Sequence, residues 1–138
     1  MKQRMVIALR ATHLRLRLID ALRRDYTIHP ASEIEGAVRL VRQHRPHMVL
    51  LGVGMRWKEA LRVARQIKTE AGEPPRVGLL DPRGRIPNAK DVLNEGMADG
   101  VFQSNIEPQS VEEFIEKMAA GTPVSIGQAA TGLRRWLP

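Results

Sequence analysis

Cysteine is absent from all 138 residues, and aromatic side chains make up only 4% of them. Without cysteine there are no disulfides, no thiolate metal sites and no cysteine nucleophile, and the chain suits a reducing compartment. With so few rings, the core has to be assembled from Val, Leu, Ile, Ala and Met. Long hydrophobic runs are missing too. No stretch approaches the roughly 18 apolar residues of a membrane span. Met5–Leu9, behind a basic start, is too short for the core of a signal peptide. A soluble, cytoplasmic protein with no membrane partner is the expectation. The four histidines, His13, His29, His44 and His47, fall outside metal-ligand spacing, since Pro46 between the last two marks a helix end. No metal or other cofactor is expected.

What is present is ordinary in amount and biased in sign. Hydrophobic residues make up 43% and charged residues 27%, and the length fits one domain able to bury a core. The formal net charge is +7, which permits attraction to nucleic acid or to an acidic partner. Arginine supplies most of it, spread from Arg4 to Arg135. Arg15, Arg17, Arg23, Arg24, Arg39, Arg42 and Arg45 lie on the first two predicted helices, with no interleaved aromatics for base stacking and no recognition helix beside them. They read as a solvated face. Nucleic acid stays open as a partner but is not favoured for this domain alone.

Short apolar runs alternate with amphipathic segments about five times. Arg4–Leu9 reads as a buried strand, and Thr12–Arg24 as a helix with Leu14, Leu18, Ile19 and Leu22 at helical spacing. Tyr26–His29 is a second strand. Ser32 can cap the next helix with Glu35 completing a capping box, and Pro46 stops it. His47–Val53 is continuously apolar, as a central parallel strand buried on both faces should be. Helix Trp57–Lys68, strand Arg76–Leu80, helix Ala89–Glu95, strand Gly100–Gln103 and helix Ser110–Ala120 follow, the last capped by Ser110. Such alternation with short links predicts right-handed crossovers and an α/β, flavodoxin-like three-layer sandwich: a five-stranded parallel sheet with helices on both faces. Its ligand crevice should lie at the carboxyl ends of the strands.

Particular stretches carry a family resemblance. Ala31-Ser32-Glu33 followed by Ala37, "HRPHMVLLGVGM" (His44–Met55) and "GMADGVF" (Gly96–Phe102) resemble the receiver domain of bacterial response regulators. The likeness in order and spacing covers residue 4 to about 120, so residues 1–120 are read as a receiver-like domain. Residues 121–138 form a linker-like amphipathic segment, because "AAGTPVSIGQAATGLRRWL" (Ala119–Leu137) is similar to the linker of the LuxR-type branch. In that branch the linker leads to a DNA-binding helix-turn-helix, which is not read within these residues.

The resemblance implies a phosphorylation device: an aspartate nucleophile after the third strand, an acid pair holding magnesium after the first, a hydroxyl after the fourth and a lysine after the fifth. Carried onto this chain, the nucleophile position falls on Gly52 and the acid pair on Arg10 and Ala11. The hydroxyl position falls on Asp81 and the lysine position on Ser104. Glycine has no nucleophile, and a guanidinium repels magnesium. The pocket reads as degenerate; an Arg10–Asp81 ion pair across it is one reading, and two solvated side chains of little energetic weight are the other.

Other candidates carry less. Gly52-Val53-Gly54-Met55 lacks the Lys-Ser/Thr pair and the third glycine of the nucleotide fingerprints. A flavin site would want a Ser/Thr-rich loop after the first strand, where the residues are Arg10-Ala11-Thr12-His13. Ile126, Ala129, Leu133, Trp136 and Leu137 fall near helical spacing behind Ser125, a small amphipathic helix that needs an apolar surface. Taken together, these features predict a pseudo-receiver rather than an enzyme. It would act as a phosphorylation-independent protein–protein interaction and dimerisation module in signalling or transcriptional regulation. The resemblance implies a contact face of fourth helix, fifth strand and fifth helix, including Val101, Phe102 and Phe114, with Trp136 of the tail as a further contact; homodimerisation would use that face or the first and fifth helices. The alternative is the N-terminal regulatory domain of a larger LuxR-type DNA-binding response regulator. A small-ligand or nucleic-acid-binding flavodoxin-like domain comes third.

Overall fold

Four consecutive buried apolar residues make the first strand a central one. In the computed structural model, which describes residues 2–70 and 72–127, β1 (Gln3–Ala8) buries Met5, Val6, Ile7 and Ala8 completely. Alternate residues then serve opposite faces. Val6 and Ala8 join a core beneath α2 (Ile34–His44), α3 (Trp57–Glu70) and α4 (Ala89–Asn94). Met5 and Ile7 join a second core beneath α1 (Thr12–Leu22) and α5 (Pro108–Ala119).

The remaining strands are β2 (Tyr26–Ala31), β3 (Met48–Gly52), β4 (Arg76–Leu80), β5 (Gly100–Phe102) and β6 (Val124–Ile126). They line up as β2-β1-β3-β4-β5-β6, every pair parallel. The three-layer α/β sandwich is as expected, but the sheet has six strands, not five. β6 escapes pattern reading because Val-Ser-Ile is only three residues long and shows no apolar run. Gly121, at φ 94°, turns the chain after α5 in a backbone region that favours glycine. Val124 N–H then donates to Asp99 O at 3.0 Å and Gln103 N–H to Ile126 O at 2.8 Å. Ser125 is therefore a strand residue and not a helix cap. The predicted tail helix past it, with Trp136, lies outside the described residues.

Two helix starts also differ from expectation. α2 begins with Glu33 as N-cap and no side-chain cap bond, so the Ser32 capping box is not formed. α5 begins at Pro108, whose fixed φ and missing N–H suit the first turn. α5 lies close on the sheet because two glycines make room for it. A β-carbon on Gly100 would stand 2.6 Å from Phe114 Cζ, and one on Gly78 would stand 2.7 Å from Met118 Cε.

The face expected to meet a partner is interior. Val101, Phe102 and Phe114 are at most 1% exposed, and the Phe102 and Phe114 rings pack 5.4 Å apart. β5 is flanked by β4 and β6 and covered by α4 and α5. These three side chains are core, and an interaction surface cannot be built from them.

Candidate functional site

At the carboxyl edge of the sheet the β1–α1, β3–α3, β4–α4 and β5–α5 connections surround an open cleft of about 910 Å³. Leu9, Arg10, Ala11, Leu14, Gly52, Val53, Gly54, Leu80, Pro82, Arg83, Asn105 and Ile106 line it. The nucleophile and acid-pair positions read from the sequence thus meet in one place, while Asp81 and Ser104 are not among its lining residues. No acidic residue lines it.

Gly52 ends β3 where the nucleophile was expected, and Leu9 takes the place where its β-carbon would stand. A β-carbon there would meet Leu9 Cδ1 at 2.5 Å. Leu9 is buried against the α1–α5 core together with Leu80 and Ile106. Burying a leucine contributes on the order of 2 kcal/mol, so this plug is held by the fold. Its backbone is held as well: Leu9 N–H donates to Ala31 O, and Arg15 Nη1 donates to Leu9 O at 2.6 Å.

The acid-pair positions stand exposed at the rim of the cleft. Arg10 is 88% exposed on its side chain and stands 3.8 Å from Glu33, itself 63% exposed, a contact that contributes little through water. Ala11 is the N-cap of α1 and offers no side-chain acceptor, and no acid stands in the first turn. The Arg10–Asp81 ion pair is absent.

Asp81 has turned inward instead. It is fully buried, and its Oδ1 accepts Arg85 N–H at 2.9 Å. Oδ2 accepts Ile86 N–H and Gln103 Nε2, both at 2.9 Å. The same Gln103 amide donates to Ile86 O at 3.0 Å. The carboxylate therefore folds the β4–α4 loop back over the end of β4 and ties it to the end of β5. A buried carboxylate needs such donors. With its oxygens engaged, Asp81 is a structural anchor and not a surface charge. Gln103 was missed in the sequence, where it reads as the end of a strand. Ser104, at the lysine position, is exposed.

A second cluster lies at the opposite edge of the sheet. The His29 and His44 rings stack at 3.6 Å with 9° between their planes. Arg4 donates to His44 O and Arg45 O, and its N–H donates to His47 Nδ1 at 3.2 Å. Burial, then the His44 ring, then the Arg4 charge hold His29 below the ordinary imidazole value. Its Nε2 is buried without a hydrogen-bond partner. No group of three or more His, Asp or Glu among the described residues is placed to hold a metal ion, and no described helix is long and apolar enough to cross a membrane.

No family model matches the sequence, and no curated protein matches it. Solved structures do. A two-component response regulator of the LuxR family from an Aurantimonas species superposes with a TM-score of 0.75 at 19% identity, covering 90% of this chain and 89% of that one. A response regulator from Thermotoga maritima gives 0.74 at 15% identity, covering 88% and 100%. An adenylate cyclase from Rhodopirellula baltica gives 0.75 at 13% identity, covering 87% and 89%. At these identities the likeness establishes the fold: a receiver-like, flavodoxin-like α/β domain.

Proposed function

We propose that this receiver-like domain is a phosphorylation-independent pseudo-receiver. It serves as a protein-interaction module in cytoplasmic signal transduction or transcriptional regulation, and it is not an enzyme. The observation that carries this reading is Gly52 beneath Leu9. The position that should present a carboxylate has no side chain, and an apolar one fills its space. Arg10 and Ala11 add no metal ligand. The carboxylate of Asp81 is committed to Arg85, Ile86 and Gln103.

Intact-mass spectrometry after incubation with acetyl phosphate and magnesium tests this reading. No +80 Da species is expected. A magnesium-dependent adduct mapped to Asp81 overturns it.

Dimerisation belongs to the same proposal, through α1 and α5, the second of the two faces expected from the sequence. Leu16 is 59% exposed on α1, beside exposed Arg17. Glu112, Glu113 and Glu116 are exposed on neighbouring α5. A two-fold pairing of this face would bury Leu16 and set arginines against glutamates. Light scattering after gel filtration should show a dimer, and Leu16→Glu should leave a monomer with unchanged circular dichroism. A wild-type monomer at 100 µM removes dimerisation from the proposal.

The alternative, a regulatory domain of a longer LuxR-type DNA-binding protein, is favoured by the linker-like residues 121–138 and by the Aurantimonas neighbour. A longer gene product encoding a helix-turn-helix would decide for it.

A further inference from the structure

The cleft over Gly52 is closed to phosphoryl chemistry but not filled. Its lining is mixed: Leu14 and the nearly buried Leu9, Val53 and Ile106 supply apolar surface, and Asn105 supplies a polar group. Two arginines, Arg10 and Arg83, line it as well. Arg83 makes no ion pair among the described residues, and Arg10 has only the loose, exposed contact with Glu33. Asp81 cannot neutralise them, because its carboxylate is buried and directed to the loop backbone and Gln103. A mixed lining with apolar surface, positive charge and no acid is complementary to an anion that carries a hydrocarbon body. It is hostile to a divalent cation. At about 910 Å³ the cleft falls within the size range of small-molecule sites, about 300–1,000 Å³.

We propose that this cleft is a binding site for a small aliphatic carboxylate, with its chain over Leu9, Leu14 and Ile106 and its carboxylate held by Arg10 and Arg83. Guanidinium groups suit this task, since their planar donor fork matches a carboxylate. The proposal rests on the reading that the cleft performs no phosphoryl transfer. Its test is nevertheless separate, because binding is read with neither magnesium nor a phosphodonor present.

Gly54 supplies the control. Its Cβ position meets nothing within 4 Å, its backbone is not in the left-handed region, and it lines the cleft, so Gly54→Leu adds bulk at the cleft wall without a clash in the fold. The experiment is a methyl-resonance titration of the full chain with octanoate, and with octan-1-ol and inorganic phosphate as comparison probes. Octanoate should shift the Leu9, Leu14 and Ile106 methyls saturably, at least tenfold more tightly than octanol, while phosphate leaves them unmoved. Arg10→Gln and Arg83→Gln should each weaken octanoate about tenfold. Gly54→Leu should abolish the shifts with circular dichroism unchanged. Absence of saturation, equal binding of octanol, equal binding of phosphate, or an undiminished response in folded Gly54→Leu each overturns the assignment.

Discussion

A β-carbon at Gly52 would stand 2.5 Å from Leu9 Cδ1, so restoring an aspartate there does not restore a phosphorylation site. Gly52→Asp has to displace a leucine packed against Leu80 and Ile106, and overpacking of this kind costs about 1–3 kcal/mol. Urea unfolding should show that loss, and acetyl phosphate should still add no mass, because Arg10 and Ala11 remain in the metal positions. His29 offers a second prediction at this scale. Its pKa is depressed in the folded chain by burial, His44 and Arg4, whereas the unfolded value is near 6.5. The unfolded state therefore takes up the proton first. The stabilisation is complete above about pH 6.5 and is lost as the pH falls through the lower folded value. His29→Phe keeps a ring against His44 and removes the unpartnered Nε2. It should flatten the decline in stability between about pH 7 and pH 5 in urea titrations.

α5 depends on what the sheet beneath it lacks. Its inward residues Val111, Phe114, Ile115 and Met118 are at helical spacing, but Phe114 and Met118 reach the sheet only because Gly78 and Gly100 have no side chains. Gly100→Ala would put a methyl 2.6 Å from the rigid Phe114 ring and 2.7 Å from Met118 Sδ. The expected cost is about 1–3 kcal/mol, measured as a lower urea midpoint with an unchanged slope. The β4–α4 loop is another element with a single organiser. Its Pro- and Gly-rich sequence suggests a flexible connection, yet Asp81 accepts backbone N–H groups from Arg85 and Ile86 and so fixes its path. Asp99 does similar work at the other edge. It accepts Val77 N–H and Lys68 Nζ, both at 2.8 Å, and so joins α3 to the starts of β4 and β5.

Over the whole molecule, the net charge is +7, and exposed Arg10, Arg17, Arg24, Arg39, Arg56 and Arg65 carry part of the excess. Such an excess attracts acidic partners through water. It also predicts weak, sequence-independent attraction to polyanions. The protein should bind a heparin column at 50 mM salt and elute well below 0.5 M. Two unrelated DNA duplexes should bind with equal affinity and the same salt slope. Discrimination between the duplexes would mean that base contacts exist, and the solvated reading of these arginines would then fail.

Strand–helix alternation, the first five strands and the parallel sheet were all legible in the chain. Each rests on local periodicity, and the apolar runs of β1, β3 and β4 are long enough to carry it. That Gly52 carries no side-chain nucleophile was legible too, since this holds for glycine in any fold. Other features depended on segments far apart in the sequence. β6 forms because Val124 and Ile126 find the open edge of β5, not because three residues prefer extended backbone. Val101, Phe102 and Phe114 become core once β4, β6, α4 and α5 surround them. Asp81 turns inward because Gln103, 22 residues later, brings an amide to meet it. Leu9 takes the place of a β-carbon at Gly52 because β1 and β3 are neighbours in the sheet. Residue types thus determined what Gly52, Arg10 and Ala11 can offer chemically, which is neither a nucleophile nor a carboxylate ligand. Packing between distant strands decided which side chains face the cleft, because burial and hydrogen-bond partners exist only after those strands have met.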